Sequence, residues 1–306
     1  MPREVFGPDY QFLQRSELLT YEEITRLARI FIGQGVEKLR LTGGEPLVRA
    51  NLDRLIAMLS ALPGLRDLTL TTNGSLLRSQ AQRLRDAGLQ RITVSLDSLD
   101  NDVFRAMNDA NVDVETVLDG IAAAQEAGLH PIKVNAVVKR GLNDDTIVDL
   151  ARHFHETDVI VRFIEFMDVG TTNGWELQHV VPASEIAERI DAEMPIEPAS
   201  PNYRGEVAKR WRYQDGGGEI GIISSITQPF CGDCTRARLS PEGELYTCLF
   251  GARGHDFRSW LRSKATDPEI GEFLASVWRI RDDRYSEIRS ENTTSLPRVE
   301  MSHIGG

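Results

Sequence analysis

Residues 67–98 read DLTLTTNGSLLRSQAQRLRDAGLQRITVSLDS. A short apolar run (68–72) closes on Asn73-Gly74, a helical stretch follows, and a second apolar run (92–96) ends on Asp97-Ser98. Runs of this length and residue type bounded by turn formers suit strands, and the longer stretch between them suits a helix. The same unit recurs through the first half, with further strand candidates at 38–41, 132–138 and 159–166. Ahead of the first strand, Thr20-Tyr21-Glu22-Glu23 has the pattern of a capping box. Ile24, Leu27, Ala28 and Phe31 then fall on one helical face, and Gly33 and Gly35 end the helix. Strands alternating with helices imply parallel pairing through right-handed crossovers. The expected fold class is α/β, an open or partial β/α barrel of five strands, whose ligands sit at the carboxyl ends of the strands.

The rhythm changes near Asp168. Residues 168–218 are punctuated by Pro, Gly and Asn. A strand is expected at 219–226, and a hairpin at 236–239 and 244–249 turning on Ser240-Pro241-Glu242-Gly243. A helix is expected at 268–279, before a polar tail that ends in Gly305-Gly306. The chain has 306 residues, 41% of them hydrophobic, and a formal charge of −11. That balance argues against a general nucleic-acid or anionic-membrane binder. No apolar signal region or membrane-length run is read, so the cytoplasm is the expected location.

All three cysteines, Cys231, Cys234 and Cys248, lie in one window, FCGDCTRARLSPEGELYTCLF. The C-x2-C-x13-C spacing suits thiolate ligands in a reducing compartment. On spacing alone, zinc completed by His255 or His303 and an iron–sulfur cluster stand equal. His130, His153, His155 and His179 read as surface or packing residues.

Strand ends hold the other candidates. Gly43 and Gly44 allow close backbone approach to a ligand, and Glu45 suits an ammonium group; a tight turn is the plainer reading. Ser95 reads alone as a cap or packing residue. Arg40, Lys133 and Arg162 sit inside apolar strands and need either a partner, such as Glu165, or an anionic ligand. Arg236 and Arg238 alternate on a strand just after Cys234, and two guanidinium forks on one face suit a phosphate chain.

Taken in order, TGGEP, TTNG, VSLDS, KVNAVV, RFIEFM, the cysteine–arginine window and the terminal Gly-Gly closely resemble the GTP 3',8-cyclase family, over essentially the whole chain. These are radical S-adenosylmethionine (SAM) enzymes of molybdenum-cofactor biosynthesis. The resemblance implies an incomplete TIM-like β/α barrel lacking its first strand (1–185) and a C-terminal α+β cluster- and GTP-binding region (186–306). It implies SAM contacts at Gly43, Gly44, Glu45, Ser95 and Met167, and GTP contacts at Arg40, Thr71, Lys133, Arg236 and Arg238. Cys231, Cys234 and Cys248 match ligands of a C-terminal [4Fe-4S] cluster whose open iron meets guanine. Gly305-Gly306 resembles a tail that enters the active site. In the family an N-terminal [4Fe-4S] cluster cleaves SAM, and the resulting 5'-deoxyadenosyl radical takes the ribose 3' hydrogen of GTP. The carbon radical then attacks C8, giving 3',8-cyclo-7,8-dihydro-GTP. An electron-donating reductant and cyclic pyranopterin monophosphate synthase are the implied partners, with a homodimer as one open assembly.

One family feature is absent: no C-x3-C-x2-C precedes Cys231. The chain is therefore expected to hold at most one cluster, the N-terminal one belonging only to a longer form. A late start or fragment is the favoured explanation. A catalytically inert GTP- and cluster-binding protein and a zinc-stabilised protein are the alternatives.

Overall fold

The computed structural model describes residues 13–108, 112–170, 173–289 and 298–305, so Gly306 lies outside the described residues. One sheet organises most of the chain. Its strands are β1 (Lys38–Leu41), β2 (Asp67–Thr72), β3 (Arg91–Ser95), β4 (Ile132–Val138), β5 (Val159–Glu165), β6 (Ile196–Ala199), β7 (Lys209–Tyr213) and β8 (Glu219–Ile223). Their order is β1-β2-β3-β4-β5-β8-β7-β6. Strands β1 through β5 and β8 run parallel, while β7 is antiparallel to both β8 and β6. The five strands expected in the first half are present, each end within one residue of its reading.

Helix α1 (Tyr21–Gly33) precedes β1, and the connections between later strands carry α2 (Leu52–Ser60), α3 (Leu77–Asp86), α4 (Asn101–Asn108), α5 (Val114–Glu126), α6 (Ile147–His153) and α7 (Ala183–Asp191). Helix α1 begins as its sequence dictates. Glu23 N donates to Thr20 Oγ1 at 3.1 Å and Thr20 N donates to Glu23 Oε2 at 2.8 Å, satisfying two otherwise orphaned donors. The helices cover one face of the sheet. There Leu68, Leu70, Ile92, Val94, Ile132 and Val134 form a buried core with Ile56, Leu59, Leu77, Leu84, Val117 and Ala124. Because side chains alternate across a strand, the residues between them face the other way.

The segment read as irregular, 168–218, holds α7, β6 and β7. Glycine and proline punctuation hid them: the loops around these short elements carry the turn formers, and β6 itself contains Pro198, tolerable on a sheet edge. Strand β8 stops at Ile223, three residues short of its reading. The next amides turn inward, Ile226 N and Thr227 N donating to Glu165 Oε2 at 2.7 and 2.9 Å. Since β8 pairs with β5, the sheet continues past residue 185.

The hairpin forms from β9 (Arg238–Leu239) and β10 (Glu244–Tyr246), and an unread third strand, β11 (His255–Asp256), pairs with β10. Helices α8 (Arg258–Arg262) and α9 (Asp267–Arg279) follow, then the short α10 (Tyr285–Ile288) and α11 (Met301–Ile304). A second core of Leu19, Leu27, Ile30, Leu245, Phe257, Ile270 and Leu274 joins α1 to this region. Among the described residues no helix is long and apolar enough to cross a membrane.

Candidate functional site

The face of the sheet turned away from the helices is polar in three successive rows, read directly from the strand register. The first is Arg40–Thr69–Arg91, the second Thr71–Thr93–Lys133, and the third Ser95–Asn135–Arg162–Gly221. Parallel sheets are ordinarily apolar on both faces, so a face rich in cations marks a site. Arg40 Nη1 donates to Thr71 Oγ1 at 2.9 Å, and Arg162 Nη2 reaches Thr93 Oγ1 at 3.4 Å. Arg162 Nε and Asn135 Oδ1 are buried without a hydrogen-bond partner. Gly221 makes room for Arg162: a Cβ there would lie 3.1 Å from Arg162 Cγ and 3.1 Å from Ala208 Cβ.

Of the two readings open for the strand cations, internal pairing with Glu165 does not occur. The Glu165 side chain is fully buried and accepts from Ala183 N at 2.8 Å, Thr227 Oγ1 at 2.5 Å and the two amides after β8. It fastens α7 and the post-β8 loop to the end of β5. Arg40, Lys133 and Arg162 therefore have no carboxylate partner among the described residues. Burial, reinforced by neighbouring cations, depresses all three, Lys133 to about 8 and Arg162 to about 9. At the amino ends of the strands the charges are balanced: Arg91 forks onto Asp67, and Lys38 Nζ lies 3.4 Å from the same carboxylate.

At the carboxyl end of β1, Gly43 has φ +143°, with open space where a Cβ would stand. Gly44 follows it in the same turn. The Glu45 carboxylate is engaged within the protein, accepting from Leu47 N at 2.9 Å, Thr72 Oγ1 at 2.7 Å and Asn73 N at 2.7 Å. It clamps the tip of β1 to the tip of β2. Ser95 ends β3, and Met167, just past β5, accepts from Asn173 Nδ2 through its carbonyl at 2.8 Å. Two residues beyond Ser95, burial pushes the Asp97 carboxyl up to about 6, although Val137 N donates to it.

All three thiols are free and partly exposed. Arg236 precedes β9 rather than lying in it, and its Nε and Nη2 approach Cys234 Sγ at 3.3 and 3.2 Å. Burial raises the Cys234 thiol, but Arg236 and Arg281 outweigh it and bring the group down to about 7. Burial pushes Cys248 up. Among the described residues no three His, Cys, Asp or Glu side chains gather closely enough to hold a single ion. His303 is paired with Glu242, which raises its pKa, so its imidazole is committed to a carboxylate.

The tail closes the arrangement. Arg238 Nε donates to the Gly305 carbonyl at 3.1 Å, and Gly305 is buried at φ +73° against Thr42. One residue thus touches both the turn after β1 and an arginine between Cys234 and Cys248. The charge of Arg236 also bears on Arg40, so the cysteine loop and the polar face are neighbours. Sequence reasoning missed the buried hub on Asp168. Its carboxylate receives Tyr285 Oη at 2.6 Å, Arg289 Nε at 2.8 Å and Arg298 Nη1 at 3.0 Å. Only the position of Asp168 directly after Met167 hinted at it, because its partners come from the far end of the chain.

An open β/α sheet with a glycine turn and polar strand tips defines a class. The Radical SAM superfamily description matches residues 6–154, and Molybdenum Cofactor Synthesis C matches residues 159–287. A crystal structure of Streptococcus suis SuiB bound to S-adenosylmethionine shares the fold: TM-score 0.58, 16% identity, over 92% of this chain and 62% of that one. The chain is therefore a radical SAM superfamily protein. Within it, the chain is 53% identical to the GTP 3',8-cyclase of Acidothermus cellulolyticus and 47% identical to that of Staphylococcus haemolyticus. Each match spans all of this chain and 91% of the relative. The chain belongs to the GTP 3',8-cyclase family.

Proposed function

We propose that the polar sheet face and the cysteine loop together hold GTP for conversion to 3',8-cyclo-7,8-dihydro-GTP in molybdenum-cofactor biosynthesis. The observation that carries this reading is the cation set Arg40, Lys133, Arg162, Arg236 and Arg238, none with a carboxylate partner among the described residues. Unpaired, partly buried cations are costly, and a polyphosphate chain is the ligand that relieves several at once. Arg40, Thr71, Lys133 and the two arginines beside the cysteines are assigned to GTP. Gly43, Gly44, Glu45, Ser95 and Met167, at the strand tips, are assigned to SAM.

The donor set of Cys231, Cys234 and Cys248 fits a [4Fe-4S] cluster with one iron open to substrate: three free thiols, one of them with a lowered pKa beside guanidinium groups. Such a cluster supplies a Lewis-acidic iron for the guanine base. Arg236 is placed to offset thiolate charge, and Arg238 to hold the tail. The commitment of His303 to Glu242 speaks against that residue completing a zinc site. The SAM-cleaving cluster finds no ligands in this chain, whose cysteines all lie in the 231–248 loop.

On this reading the functional division at residues 185–186 is one of roles, since β8 beyond it joins the same sheet. Product passes to cyclic pyranopterin monophosphate synthase in the cytoplasm, and a reductant supplies electrons. A homodimer is the assembly that sedimentation would look for. Calorimetric titration of GTP tests the substrate assignment. Arg162→Met and Arg238→Met should each weaken binding about tenfold or more, as expected for loss of a charged hydrogen bond; affinities equal to that of the unmutated chain would overturn it.

A further inference from the structure

Residues 200–208 leave β6 and return as β7 by way of a loop that touches both parts of the site. Lys38 Nζ lies 5.9 Å from the centroid of the Tyr203 ring, on the cation side of β1. Arg204 donates through Nη2 and Nε to Asp233 Oδ1 at 2.9 and 3.2 Å, and Asp233 stands between Cys231 and Cys234. Gly205, at φ +80°, packs against the same residue: a Cβ there would lie 3.0 Å from the Asp233 carbonyl oxygen. The Glu206 carboxylate is held by Asn202, whose backbone N donates at 2.6 Å and whose Nδ2 donates at 3.3 Å. Two residues further on, Ala208 reaches the sheet beside Arg162: a Cβ at Gly221 would lie 3.1 Å from Ala208 Cβ and 3.1 Å from Arg162 Cγ. The loop so brings the Glu206 charge to the side of the cations, where it partly offsets the crowding at Lys133, Arg162 and Arg91.

We propose that this loop is the specificity element at the phosphate end of the nucleotide site, with Glu206 as a built-in counter-charge that an incoming polyphosphate must displace. The inference rests on the reading that GTP binds this face, and it adds a residue that works against binding. A lone cation field would retain any polyanion. A fixed carboxylate raises the threshold so that only a ligand with enough phosphate charge and a base to seat displaces it. Through Arg204 and Asp233 the same displacement pulls on the cysteine loop.

The test is Glu206→Gln, which removes the charge, keeps an acceptor for the short bond from Asn202 N and gives up the longer contact from Asn202 Nδ2. Affinities of the reconstituted chain for GTP, GMP, guanosine and inorganic tripolyphosphate are measured at low and high salt. The expected result is about threefold to tenfold tighter GTP and tripolyphosphate, a smaller gain for GMP and none for guanosine, with the gain shrinking at high salt. A gain independent of phosphate number, no gain, or weaker binding would overturn the assignment. If the unmutated chain takes tripolyphosphate but not GTP, the substrate reading fails and Glu206 is judged on tripolyphosphate alone. If it binds neither, both fall.

Discussion

Replacing Gly305 with alanine puts a methyl carbon 2.2 Å from Thr42 Cγ2, at a residue with φ +73° and ψ 147°. Two costs arise. A side chain in this glycine region of backbone space costs roughly 1–3 kcal/mol, and forcing a methyl into a filled space costs roughly another 1–3 kcal/mol. The tail is held by comparable terms. Burial of Ile304, 3% exposed, contributes about 1.5–3 kcal/mol, and the Arg238–Gly305 hydrogen bond about 1.5–3 kcal/mol. The substitution thus offsets most of what holds the tail and makes its release far more frequent, while the cores lie elsewhere and stay intact. Gly305→Ala should therefore leave the urea midpoint unchanged and lower hydrogen-exchange protection across 301–305 at least tenfold. Thr42→Ser removes the methyl that the new carbon strikes, so Thr42→Ser/Gly305→Ala should recover part of that protection and leave the backbone term. Wild-type protection in Gly305→Ala, or no coupling between the two positions, would refute the docked geometry.

Three further outcomes follow from the same contacts. Lys133 is depressed to about 8 and is raised again by phosphate, so GTP binding takes up a proton there. Affinity should be flat below pH 8 and fall as pH rises through that value, and Lys133→Met should lose the inflection. Glu165→Gln turns one acceptor into a donor facing amides and should destabilise the fold by about 3–5 kcal/mol in urea. Adding Arg162→Met should show no coupling to it; coupling near 1 kcal/mol or more would restore the ion pair that the structure lacks. Thr20→Ala should cost about 1 kcal/mol through the lost α1 cap, an effect that urea melts resolve.

The repeating strands were legible because their apolar residues are consecutive or alternate over four to seven residues, as in β4 with Ile132, Val134, Ala136 and Val138 all buried. The capping box of α1 was legible because it is a local pattern with local bonds. The cations Arg40, Lys133 and Arg162 stood out for the same reason in reverse, charge set among aliphatic neighbours. What escaped was settled at long range. Lys38 and Arg91 drew no reading from the sequence, because the Asp67 that pairs with both comes from across the register. Glu165 read as a partner for arginine, yet three backbone amides and a hydroxyl from two other segments claim it. Strands β6 and β7 were masked by the turn formers around them, and the role of the 200–208 loop depends on Asp233, which no local spacing announces.

On the proposed function the cysteine loop holds a cluster beside a nucleotide site. Iron and sulfide per chain after anaerobic reconstitution, with paramagnetic resonance spectra recorded with and without GTP, test it most directly. The expected result is about four irons per chain, a reduced-cluster signal that GTP shifts, and loss of both in Cys248→Ser. A colourless protein carrying one zinc and no iron–sulfur absorption, or a cluster signal indifferent to GTP, would contradict it.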